Sequence, residues 1–544
     1  MDMKIKNRIL PVVLGIFLLV PASCDDFLSE TTDNRTEIDT EAKVESLLKS
    51  AYLDWNYSIL AELSSDNVDD FGEDNPYTER FFDQVGTWQN EIDRNNDGPY
   101  FAWNGYWSAI STANAALAAI DELGGGQELD KYKAEVLLCR AYSHFMLANL
   151  FCLPYSAGGD PANKLGLPYM TKNETTLTSD HERGTLDVLY ANIAADIEAA
   201  LPLIDDSYLD VPKYHFNRNA AYAFASRFYL YYYRGDAPDA QARLNKVIEY
   251  ANVVLGSNPA GMLRDWAFFA DLGSPDPDVY GNRYINADEN ANLMLQTAVS
   301  YAFAAWGGYG MCCRFNHGSA LAEETVMSDG PWGSTYNLAY FTIGIYEATN
   351  VNKVVQFKYP ELWEFLDPVA QTGYPRSVYP AFTSEDVLFN RAEAYALLGG
   401  AGNYAKAVED LNAWAVSYLA EKSNNGYTRQ TMTVQTITDF YNNLSYYTPE
   451  VPTVKKELHP DFTLVDQTQE NIIHCILQAR RITFLHEGMR WFDVKRWGID
   501  VYRRQLARDA STVRSYEKLG YNDLRRALQL PSEVVAAGAE ANPR

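Results

Sequence analysis

The chain has 544 residues, with 45 basic and 72 acidic side chains and a net charge of −27. That excess of acid disfavours nucleic acid as a partner, because phosphates are held by clustered Lys and Arg. It weighs less against polyanionic glycans, since a local basic patch can sit on a negative molecule.

The N-terminus reads as an export signal. Lys4, Lys6 and Arg8 precede an apolar run from Ile9 to Val20, followed by Pro21-Ala22-Ser23-Cys24. A basic start, an apolar stretch and small residues describe a secretory signal over residues 1–23. The run falls short of the ~20 residues a membrane span needs. Cys24 directly after the small residues resembles a bacterial lipobox and is the expected lipidation site, with Pro21 where such boxes usually carry Leu. The alternative is a soluble secreted protein with an incidental cysteine. Residues 24–40 then form a lipidated tether, and 41–544 a single body, because no Pro/Gly/Ser-rich linker divides the chain.

Apolar residues at three- and four-residue spacing, with Gly or Pro near the ends, predict helices over 41–52, 103–123, 131–151, 185–203, 219–233, 240–255, 385–398, 404–419 and 469–484. Several carry a small-then-aromatic pattern, as in Arg140-Ala141-Tyr142 and Arg391-Ala392-Glu393-Ala394-Tyr395. Small residues let paired helices approach while aromatics fill the next groove, the logic of tetratricopeptide repeats. The expected class is therefore mainly α, built of such helix pairs. Loops are expected over 54–102, 153–184, 257–384 and 421–468, and loops of that length tend to be functional. After Cys24, the five remaining cysteines are scattered. Cys139 and Cys152 would lie roughly 20 Å apart along one helix at ~1.5 Å per residue, so buried free thiols are expected.

Catalytic signatures are scarce. The sequence has no Gly-x-Ser-x-Gly, His-Glu-x-x-His or phosphate-cradling Gly-Lys-Ser/Thr, and its seven histidines are isolated. Asp93-Arg94-Asn95-Asn96-Asp97-Gly98 matches the first half of an EF-hand loop, but Asn104 stands where a calcium cage is completed by a bidentate Glu. A solvated Asn/Asp turn is the reading, with no metal or cofactor expected. Binding is sought among loop aromatics: Trp55, Trp88, Trp306 and Trp332, beside Phe71, Tyr301, Tyr309 and Tyr336. A flat indole covers the C–H face of a sugar ring while Arg, Asn or Asp bonds its hydroxyl rim. Trp103, Trp107, Trp414, Trp491 and Trp497 read as core.

Residues 478–498 read Gln-Ala-Arg-Arg-Ile-Thr-Phe-Leu-His-Glu-Gly-Met-Arg-Trp-Phe-Asp-Val-Lys-Arg-Trp-Gly. On one helix Arg480, Phe484, Glu487 and Trp491 would share a face, with Arg stacking on Trp and pairing with Glu487 or Asp493. The bases alternate with acids, so the stretch reads as a core lock rather than an anion site. It resembles the C-terminal motif of the SusD/RagB family of outer-membrane nutrient-binding lipoproteins, through Arg480, Arg481, Glu487, Gly488, Arg490, Trp491, Phe492, Asp493, Lys495, Arg496, Trp497 and Gly498. Ala479, Thr483 and His486 depart from it. Asp25-Asp26-Phe27-Leu28 resembles the mature start, and Leu530-Pro531-Ser532-Glu533-Val534 the closing segment.

The resemblance implies a lipid-anchored protein on the outer face of the outer membrane. It would capture oligosaccharide and deliver it to a SusC-like TonB-dependent transporter without covalent chemistry. Ligand-binding residues are then expected at Arg80, Trp88 and Asn90 in the early loop, and at Tyr301, Trp306, Tyr309 and Trp332 in the facing region 257–384. Peptide capture, a glycan hydrolase and a protein-binding scaffold remain alternatives.

Overall fold

The computed structural model describes residues 38–544, apart from 73–74, 76–78, 93, 174–181, 273–275, 308–313, 349–350, 508 and 510–511. The signal, Cys24 and the mature start lie outside the described residues, as do Tyr309, Asp93, Cys312 and Cys313.

The scaffold is helical. Its helices are α1 (Glu41–Leu48), α2 (Pro99–Glu122), α3 (Asp130–Phe151), α4 (Leu186–Ala200), α5 (Arg218–Tyr231), α6 (Ala240–Leu255), α7 (Ser384–Leu398), α8 (Ala401–Tyr418), α9 (Gln467–Thr483) and α10 (Met489–Arg496). Helix α2 packs on α3 and α3 on α4; α5 pairs with α6, α6 with α7, and α7 with α8 and α9. Side chains that accept from a backbone N–H two residues into the helix start several of them: Thr185 before α4, Asn217 before α5, Thr383 before α7 and Asp466 before α9. The small-then-aromatic pattern works as expected. Ala141, Ala225 and Ala392 are fully buried at helix contacts, while Tyr142 packs edge-on against Phe224 and Phe382.

Two expectations change. The stretch 257–384 is not loop alone: it contains a three-stranded antiparallel sheet ordered β1 (Asn292–Val299), β3 (Thr372–Thr383), β2 (Leu362–Asp367). Strand β1 pairs with residues 376–383 of β3, and β2 with 372–376. The outer β2–β3 ribbon therefore projects past β1 as an arm. Nor do Arg480 and Trp491 share one helix. Helix α9 ends at Thr483, and a turn with His486 at φ 72° and Gly488 at φ 78° separates it from α10. A Cβ on Gly488 would come 2.9 Å from the Ala61 Cβ, so this turn needs glycine both for its backbone and for its close packing. Cys139, Cys152 and Cys475 are buried free thiols, as expected.

Candidate functional site

The arginines of the C-terminal motif are structural. The Asp66 carboxylate takes a two-pronged contact from Arg490 at 2.7 and 2.9 Å, with Arg481 at 3.7 Å and Lys456 at 4.0 Å. Arg504 holds Asp69 in the same way and reaches Glu324 at 2.9 Å. Arg480 bonds Asp493 at 3.1 Å, and Arg496 clamps Glu393 at 2.8 and 3.0 Å. Burial by itself would raise the Asp66 carboxyl, but Arg481, Arg490 and Lys456 outweigh it and hold the group well below the usual carboxylate range. Glu487 pairs not with an arginine but with Lys358 at 2.6 Å and the Tyr284 hydroxyl. Of the two interleaved acids Asp493 neutralises Arg480 and Arg496 and Glu487 takes Lys358, while Lys495 donates to the carbonyls of Asn149 and Cys152.

Three of the expected platform residues prove to be core. Trp88 is 5% exposed, its indole N–H donates to the Ser64 carbonyl at 2.9 Å, and Arg503 lies over its ring. Trp306 is fully buried and stacks on His486, with centroids 5.4 Å apart and planes 8° from parallel. His486, where the family usually has Phe, thus supplies an aromatic surface; burial holds it neutral by lowering its pKa well below the ordinary value. Trp332 is fully buried, donates to the Thr335 hydroxyl at 2.9 Å and meets Trp414 edge-on. Trp55 and Phe71 are buried as well. The physical reason is common to all: long loops that fold back on the scaffold need large apolar side chains of their own.

Of the other expected residues, the three that are described, Arg80, Asn90 and Tyr301, are at the surface. Arg80 opens the short helix Arg80–Gly86, and Asn90 follows its end; both are exposed, with Trp88 between them turned inward. Tyr301 is exposed, and its backbone N–H donates to Asp97 at 3.0 Å. Burial pushes the Asp97 carboxyl up to about 6, against hydrogen bonds from Ser300 and Tyr301. Asp97 thus anchors the Tyr301 segment to the start of α2, while Asn104 lies within α2 itself. No cluster of metal-binding side chains occurs among the described residues.

Sequence reasoning passed over the arm beside Tyr301. All eleven tryptophans are described, and Trp363 is the one that is exposed, at 40%. It pairs across β2 and β3 with Pro375, whose carbonyl accepts from the Ser300 N–H at 3.3 Å, so Trp363 and Tyr301 flank the same point of β3. Phe365 and Tyr374 are exposed farther out. Arg376 lies at the base of the arm, bound to Glu364 at 2.6 Å and Asp54 at 2.5 Å. A run alternating Leu362-Trp363-Glu364-Phe365 before Pro368 was the available signal. A cavity of about 250 Å³ lies elsewhere, where Leu153, Leu165 and Leu524 meet the polar side chains of Asp160, Lys164 and Asn542. Lys164 points its ammonium at the carbonyls of Pro154 and Ala157.

Helix pairs supporting a long, partly stranded surface segment, with an ion-pair lock at the centre, define a mainly α protein of tetratricopeptide-like architecture. The chain belongs to the SusD family, whose model matches residues 246–529. A second family model, described as starch-binding and associating with the outer membrane, matches residues 26–230. Among solved structures, a sugar-binding protein from Bacteroides vulgatus is 19% identical with a TM-score of 0.63, over 94% of this chain and 99% of its own. A SusD superfamily protein from Bacteroides thetaiotaomicron is 18% identical with a TM-score of 0.61, over 94% and 100%. A SusD-like carbohydrate-binding protein from Bacteroides vulgatus is 14% identical with a TM-score of 0.59, over 91% and 96%. At these identities the likeness is one of fold. Among curated proteins none matches the chain.

Proposed function

We propose that this protein captures oligosaccharide at the cell surface and hands it to a SusC-like TonB-dependent transporter. The observation that carries the reading is the SusD-family scaffold bearing an exposed aromatic surface on its long middle segment. Cys24 would carry the lipid that holds the body outside the outer membrane. No helix among the described residues is long and apolar enough to cross a membrane. Ligand is bound and released without cleavage, and shallow contacts suit a ligand that must also leave.

Two measurements test this. Calorimetric titration of the protein from Asp25 onward against a glycan panel, with product analysis, should give saturable heats and no shortened chains. In the full-length protein, labelled fatty acid should be incorporated and then lost with Cys24→Ala; continued labelling would move the anchor elsewhere. A second reading, peptide capture, is favoured by the open outer edge of β2, which exposes residues 363–367. Peptides that bind and lose affinity on backbone N-methylation would support it in place of glycans.

A further inference from the structure

We propose that the inner face of the β2–β3 arm, Trp363 with Phe365, is a stacking platform for neutral glycans, one that disfavours uronic-acid and sulfated polymers. The proposal rests on the capture reading and deepens it by naming the surface and the ligand class.

Alternate residues of a strand share a face, and directly opposed residues on paired strands project to the same side. Trp363 and Phe365 therefore lie on the face that holds Pro375 and Gly373. Nearer the body that face continues through Pro375, Ser377 and Tyr379, all buried. There Tyr379 donates to the Trp55 carbonyl at 2.9 Å, and Asn56 donates to the Ser377 hydroxyl at 3.1 Å. The aromatic pair thus begins where the arm leaves the body and overhangs it. The indole is also fixed in place. A Cβ on Gly373 would come 2.7 Å from the Trp363 ring nitrogen, so the ring lies across bare glycine backbone with its other side open. Phe365 follows with its ring centroid 6.5 Å away. The two rings offer their faces to the C–H groups of an extended sugar chain.

The charge around the platform sets the class. Glu364 and Asp367 lie in β2, Glu361 immediately precedes it and Asp54 stands at its base; Glu364 projects to the face opposite Trp363, so its charge acts across the ribbon. Asp278 accepts from the Glu361 N–H. The base of the arm, Arg376, is already shared between Glu364 and Asp54. A uronate or sulfate ester arriving here meets net negative charge within about one Debye length, ~8 Å at physiological salt. A neutral pyranose meets none of that repulsion and keeps the stacking.

The test is calorimetric titration of the wild type, Trp363→Ala, Trp363→Phe and Glu361→Gln/Glu364→Gln. Each is run against neutral polymers (glucan, mannan, xylan, galactan) and against polygalacturonate and alginate. The wild type should bind at least one neutral polymer about tenfold or more tighter than either uronate polymer, the gap narrowing as salt rises. Trp363→Ala should lose about tenfold on the neutral ligand, and Trp363→Phe should regain part of that. The double Gln variant should gain affinity for the uronates selectively. Since Trp363 stands outside the core, circular dichroism and melting should be unchanged in its variants. Neutral-glycan binding undiminished in Trp363→Ala, or uronates bound as tightly as neutral chains, overturns the platform and leaves the capture reading intact. Silence from every polymer by folded wild-type protein overturns both.

Discussion

Removing the Asp66 carboxylate would strand the Arg490 and Arg481 guanidinium groups in the interior. Breaking a buried pair from one side costs about 3–5 kcal/mol, because the partner charge is left uncompensated. Asp66→Ala should lower the denaturation midpoint by a corresponding amount; a change no larger than that of an exposed acid-to-alanine control would show the lock to be ornamental. Because the Asp66 carboxyl is held below its ordinary range, its stabilisation is complete above the unfolded value near 4 and is lost only as the pH falls through the lower, folded value. Glu62 behaves oppositely. Burial pushes it up to about 7, against hydrogen bonds from Asn67 and Gly488. The folded protein holds this proton more tightly than the unfolded chain does, so the group costs progressively more stability as pH rises from the ordinary glutamate value of 4.5 towards 7. The melting temperature of Glu62→Gln should gain on the wild type between about pH 5 and pH 8. A constant offset across that range would contradict the assignment.

At the level of elements, the helices were legible and the strands were not, for reasons of range. Periodicity near 3.6 residues is written locally, and the predicted helix 240–255 matches α6 end to end. The sheet joins Asn292 to Thr383, and nothing local announces a partner so distant. The same limit governed the site. A tryptophan outside an amphipathic helix carries no sequence mark of its burial, so Trp88, Trp306 and Trp332 were expected at the surface and Trp363 was passed over. The C-terminal motif was legible in part: Asp493 pairs within it with Arg480 and Arg496, but Arg481, Arg490 and Glu487 find partners distant in sequence, Asp66 and Lys358. The break between α9 and α10 hid in His486 and Gly488, two adjacent-turn residues with positive φ. On the arm, a Cβ at Gly373 would meet both the Trp363 ring and the Glu364 backbone. Gly373→Ala should therefore weaken glycan binding about as much as Trp363→Ala, with little effect on melting, because the arm lies outside the helical core. Unaltered affinity in titration would mean that the indole is not held by the ribbon.

On the scale of the molecule, large loop aromatics and the Asp66, Asp69 and Glu324 ion pairs join the loops to the helices, while the exposed tryptophan, Trp363, stands on the β2–β3 arm. Trp306→Ala should then cost about 3–5 kcal/mol of stability while leaving ligand affinity within twofold or so. The acidic body favours solubility. The most direct measurement is native electrophoresis of the protein through gels that contain neutral polysaccharides. Retarded migration in at least one gel, with polymer length unchanged afterwards, is the predicted result. Unretarded migration of folded protein in every gel, or a shortened polymer, would contradict capture without cleavage.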